Sequence, residues 1–127
     1  MNTTFDPTRG LIIVFARLFG PTSERIVRLA LDTGATTTTV RTSVLVNLGY
    51  DPAASSERLP MTTASGVEYV LRISISRFEA LGESRESFTI VAHTLPPSAT
   101  VDGLLGLDFV RGRRLMLDFR EGTIALE

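Results

Sequence analysis

Apolar residues in this chain fall into short runs separated by turn-forming residues, and only one stretch spaces them at a helical interval. Residues 11–19, "LIIVFARLF", and 25–32, "RIVRLALD", are rich in strand formers, and "GPTSE" between them supplies a turn, so the pair predicts a β-hairpin. "TTTTV" (36–40) predicts an extended segment, because threonine is β-branched. Val40, Val44, Leu45 and Leu48 then recur along one helical face and Gly49 follows as a C-cap, which predicts a short helix near 41–48. "DPAASSER" predicts a loop, and "LPMTTASGVEYVLRISISRFEAL" predicts two strands folded back on each other at Ser65-Gly66.

In the second arm of that hairpin, Val67, Tyr69, Leu71, Ile73 and Ile75 alternate with Glu68, Arg72, Ser74 and Ser76, as a strand with one face inward would. "GESRE" is expected to turn the chain into a further strand, "SFTIVAH". After a proline loop, "VDGLLG" predicts a short strand, "LDFVRG" a helical turn or two, and "LMLDFREGTIALE" a terminal hairpin around Glu121-Gly122. The expected fold is mainly β: a closed or partly closed barrel with one or two short helices, formed by a single domain over residues 1–127.

Composition narrows the chemistry. Of the 127 residues 21% are charged and 43% apolar, as in ordinary globular chains. The net charge is −1 and the basic residues form no stripe, so neither nucleic acid nor an anionic membrane surface is expected as a partner. The Arg111, Arg113 and Arg114 group reads as a solvated loop. There is no cysteine, which excludes thiolate chemistry. The sole histidine, His93, ends a strand pattern without a supporting cluster, so neither a metal site nor a histidine-activated nucleophile is expected. "LIIVFA" is too short to span a bilayer and "MNTTFDPTRG" does not read as a signal peptide, so the expected location is cytoplasmic.

The chemistry-bearing stretch is "ALDTGA" (30–35), where an apolar run delivers Asp32 onto a Thr33-Gly34-Ala35 corner. An aspartate there can be mere turn punctuation. A second element, "DGLLGLDF" (102–109), raises the stakes: Leu104 and Leu105 end on Gly106 just before the helical turn. In order and spacing, these two elements with the helix and hairpin between them resemble the retropepsin-like aspartic proteases, over nearly the whole chain.

The resemblance implies a role for each part. Asp32 is the catalytic residue; Thr33, Gly34 and Ala35 form the active-site loop, with Thr33 gripping a facing loop. Ala64, Ser65 and Gly66 form a flap over substrate, and Leu104, Leu105 and Gly106 buttress the site. Hydrolysis of a peptide by water needs a base for the water and an acid for the leaving nitrogen. Paired aspartates sharing one proton supply both, a behaviour known from aspartic proteases themselves. The chain has one Asp-Thr-Gly corner; Asp102 and Asp108 lack it. A homodimer contributing Asp32 twice, acting on peptide or protein substrates without cofactor or metal, is therefore expected.

Many viral members carry an aspartate and an arginine where this chain has Thr36 and Leu107, so the likeness is closer to cellular and bacterial members. Thr36 and Thr37 are candidates to line a substrate groove, whereas Tyr69 reads as a packed strand aromatic. Two other readings compete with it. A silent dimerisation or peptide-binding module has no broken motif to support it. A phosphate binder lacks a glycine-rich loop opening a helix.

Overall fold

The computed structural model describes residues 2–54, 58–63, 66–95 and 98–127. The strands are β1 (Asn2–Thr4), β2 (Ile13–Phe19), β3 (Glu24–Leu31), β4 (Thr39–Arg41), β5 (Arg58–Thr63), β6 (Gly66–Ala80), β7 (Glu83–His93), β8 (Gly103–Leu105), β9 (Leu115–Asp118) and β10 (Thr123–Leu126). Two short helices, α1 (Thr42–Asn47) and α2 (Leu107–Val110), and a 3-10 turn at Pro52–Ala54 complete the order.

Strands β2-β3-β8-β4-β7-β6 are hydrogen-bonded in that sequence, and β6 returns to β2 from Ala16↔Ala80 to Phe19↔Arg77, closing a six-stranded barrel. Strand β5 pairs with β6 alone, between Arg58↔Leu71 and Thr63↔Gly66, beyond the reach of β2. The β5–β6 hairpin thus stands off the barrel as an arm; Ala64 and Ser65, where the flap tip was expected, lie outside the described residues. Between the parts of β6 held by β5 and by β2, Tyr50 takes over. Its hydroxyl donates to the Phe19 carbonyl at 2.7 Å and accepts from the Ser76 N–H at 2.9 Å.

The two middle strands explain how the barrel brings distant sequence together. β8 lies parallel to β3 (Leu31↔Leu105) and antiparallel to β4 (Thr39↔Leu104), so a three-residue strand is wedged between the two that flank the Asp-Thr-Gly corner. Asp102 fixes where β8 begins. Its carboxylate accepts the Arg28 N–H at 3.0 Å and lies 3.5 Å from the Arg41 guanidinium, while its backbone bonds Arg28 and Arg41 on either side.

The barrel is filled by fully buried leucines and isoleucines, among them Leu29, Leu45, Leu48, Ile75, Ile90 and Leu105. Helix α1 and its C-cap bury Val44, Leu45 and Leu48 as expected, whereas Val40, read as the first residue of that face, is buried from strand β4. Gly49 follows at φ +98°, the left-handed conformation of a helix C-cap, and its N–H returns to the Val46 carbonyl at 3.0 Å. Helix α2 inserts Phe109 against Phe78 and Phe88, with ring centroids 5.3 and 6.0 Å away. Arg85 caps that cluster, its guanidinium 4.5 Å from the Phe109 ring and donating to the Phe109 carbonyl at 2.8 Å.

Two local readings of the sequence need correction, and one strand has no counterpart in it. The turn expected over "GESRE" is only Leu81-Gly82, with φ +53° and +77°, and the following residues already belong to β7 (Ala80↔Glu83). Both central residues adopt the positive φ of a tight hairpin turn, and leucine gives no signal for it. The alternation expected from Val67 to Ile75 also does not hold along the arm. Val67 is 62% exposed and Val70 is buried, because that part of β6 has left the barrel. The side chains of Glu68 and Tyr69 lie outside the described set. Finally, the polar segment "NTT" forms β1, which pairs with β10 and joins β9 in a separate three-stranded sheet.

Candidate active site

Asp32 follows directly on β3. Its N–H donates to the Leu105 carbonyl at 3.0 Å, which continues the β3–β8 pairing by one bond and fixes the residue in space. The chain then reverses: the Ala35 N–H donates to the Asp32 carbonyl at 3.1 Å and the Gly34 N–H to Asp32 Oδ1 at 2.8 Å. The second bond is an Asx turn, which orients the carboxylate without using its other oxygen. A Cβ on Gly34 would lie 3.1 Å from that same Oδ1, so glycine keeps the corner clear of the carboxylate. Asp32 is half-buried and Thr33 is exposed at the corner.

The return path is locked to the residues after β8. The Leu107 N–H donates to the Ala35 carbonyl at 2.8 Å, and the Asp108 N–H to the Thr36 carbonyl at 3.2 Å. Thr38 is wholly buried; its N–H and hydroxyl both donate to the Asp108 carboxylate, at 2.9 and 2.7 Å. The Thr38 hydroxyl oxygen accepts the Gly106 N–H at 3.1 Å. Gly106 itself lies so close that a Cβ there would stand 2.7 Å from the Thr37 carbonyl carbon and 2.9 Å from two carbonyl oxygens. Backbone on both sides cannot yield. Gly106→Ala is expected to destabilise the fold by about 2–3 kcal/mol, read as a lower midpoint in urea unfolding.

These elements frame a cleft of about 710 Å³. The corner residues Asp32, Gly34, Thr36 and Thr37 supply one wall, and Val91, Leu104 and, from the arm, Pro60, Thr62 and Val70 are among the residues lining the rest. Leu105 is buried, its carbonyl holding the Asp32 N–H, whereas Leu104 lines the cleft, a position that the apolar pattern alone did not suggest. His93, which ends β7 as expected, also lines the cleft.

Asp32 is the one carboxylate among the described lining residues. The two other aspartates near β8 are committed elsewhere, Asp102 to Arg28 and Arg41 and Asp108 to Thr38. Among the described residues no group of three or more histidines, cysteines or acidic residues could hold a metal. None of their helices is long and apolar enough to cross a membrane.

Asp32 thus stands where a strand meets a Thr-Gly corner, next to a Leu-Leu-Gly strand and in a cleft that the arm also lines. Comparison with known proteins identifies the family. The family model described as aspartyl protease matches residues 17–109, more than half of the chain, and the chain belongs to that family. No curated protein sequence matches it. Among solved structures, a retropepsin-like aspartic protease from Rickettsia conorii superposes with a TM-score of 0.70. The superposition covers 99% of this chain and 88% of that one at 16% identity, which establishes the retropepsin-like fold.

Proposed function

We propose that this protein is a homodimeric aspartic endopeptidase in which two Asp32 carboxylates, one per chain, activate a water for attack on a peptide bond. Family membership supports peptide hydrolysis as the chemistry. The observation that carries the dimer is the solitary carboxylate: among the described lining residues one carboxylate faces the cleft, and neither Asp102 nor Asp108 is free to join it. One aspartate beside a water is a base without a matching acid, and two held close share a proton and serve as both. A two-fold axis at the corner supplies the second at no cost in new sequence. Thr33, exposed on that corner, is then placed to reach the facing copy.

In this reading the substrate lies extended in the cleft, between the Thr36–Thr37 wall and the arm. The lining beyond Asp32 is largely apolar (Val70, Val91, Leu95, Val101 and Leu104), which favours apolar side chains beside the scissile bond. Incubation with a peptide library, followed by mass spectrometry, tests the activity. Internal cleavage next to apolar residues is expected, whereas trimming from the ends alone, or no cleavage at any pH, would contradict it.

The β5–β6 arm acts as a lid that closes over bound peptide and excludes bulk water. Gly66 sits at φ +125° with nothing within 4 Å of a would-be Cβ, so a substitution there meets backbone strain and no steric clash. Gly66→Val is expected to leave the unfolding midpoint nearly unchanged while lowering kcat/KM roughly tenfold. Unchanged kcat/KM would remove the lid from the account.

A further inference from the structure

Thr38 and Asp108 lie 70 residues apart in sequence, yet they form the tightest polar knot beside the cleft. Resting on the protease reading above, we infer that Asp108 is a positioning residue that holds the Thr36–Thr37 wall of the substrate cleft against the end of β8. Four bonds make up the knot. Two run from Thr38 to the Asp108 carboxylate, one from the Gly106 N–H to the Thr38 hydroxyl, and one from the Asp108 N–H to the Thr36 carbonyl. Their order is dictated by chemistry. An ionised carboxylate can only accept, so the Thr38 hydroxyl must point its hydrogen at Asp108 and present its lone pairs to Gly106. Among the described residues no cation lies within ion-pair distance of Asp108, so these neutral donors hold it.

A carboxylate suits this place better than an amide. Asparagine replaces one of the two acceptor oxygens by an NH₂ that can only donate. With its oxygen on the Thr38 N–H, its NH₂ faces the Thr38 hydroxyl, whose hydrogen loses the acceptor it has in Asp108. Asp108→Asn therefore keeps the size and loosens the knot. Asp32 has its own anchor, the N–H bond to Leu105, which does not pass through Asp108. Loosening should thus reach the wall that touches substrate before it reaches the carboxylate.

The test is the split between KM and kcat together with amide hydrogen exchange, in Asp108→Asn, Thr38→Val and Thr38→Ser. Asp108→Asn is expected to raise KM roughly fivefold to tenfold with kcat within about threefold. Thr38→Val also strands the buried Gly106 N–H, so kcat should fall as well, and Thr38→Ser, which keeps the hydroxyl, should restore both. In Asp108→Asn the Thr38 amide should exchange about tenfold faster while Val27 and Leu29 in the barrel are unchanged. Equal slowing of all activity in proportion to unfolded protein, with exchange raised uniformly, would make Asp108 a general stabiliser and overturn the inference. So would unaltered KM and unaltered Thr38 exchange. If the wild type shows no Asp32-dependent cleavage, the protease reading fails on its own and the exchange data still decide whether Asp108 holds the wall.

Discussion

Asp32→Asn is expected to lower peptide cleavage by at least about 10²-fold to 10⁴-fold, the usual weight of general acid–base catalysis, while the protein folds and dimerises as before. The structure explains why the fold should tolerate it. Within the chain Asp32 is held by its backbone N–H on Leu105 and by the Gly34 N–H on Oδ1. An asparagine oxygen accepts that second bond equally well, so the corner keeps its shape. What asparagine lacks is the ability to take and return a proton. In the proposed dimer the substitution would also remove two crowded carboxylates, so the thermal midpoint should stay level or rise. Rates from peptide cleavage and midpoints from calorimetry separate the two effects. A variant that is both inactive and unfolded would mean that the carboxylate is structural, and a fully active one would end the catalytic assignment. A silent binding module, by contrast, would show no cleavage in the wild type either.

Much of this arrangement is written locally in the chain. The Asp32 corner is readable because an apolar strand ending on Asp-Thr-Gly is a local pattern, as is the face of α1 with Gly49 behind it. The hairpin β5–β6 is likewise legible from its turn residues. What escaped the sequence depends on contacts between distant segments. The four threonines look like plain β-branched filler until Thr38 is seen against Asp108 and Gly106. Asp102 and Asp108 are alike in sequence, each flanking the Leu-Leu strand, and only their separate partners distinguish a clamp on β3 and β4 from a brace on the cleft wall. Strand β1 has three polar or β-branched residues and exists through pairing with β10, which no window along the chain can reveal. The Leu81-Gly82 turn reads late in the sequence for the opposite reason: the turn formers "GES" (82–84) start at its second residue and draw the boundary into β7.

The largest consequence of a shared site is that the monomer should have no activity. One chain has one Asp-Thr-Gly corner and, among the described residues, brings one carboxylate to the cleft. If each site is built half from either chain, activity per chain must fall steeply on dilution below the dimer dissociation constant. Inactive chains must also poison active ones. In an equal mixture of wild type and Asp32→Asn, random pairing leaves about a quarter of the dimers with two intact aspartates. The cleavage rate should follow the square of the wild-type fraction instead of the fraction itself.

That mixing curve tests the central claim most directly. Wild-type and Asp32→Asn chains are combined at fixed total concentration, subunit exchange is confirmed by native mass spectrometry of differently labelled chains, and cleavage is measured across the ratio. The account predicts a quadratic curve, with about a quarter of the full rate at equal mixing. A straight line through the same points, with exchange confirmed, would show that one protomer suffices and would contradict the shared aspartate pair.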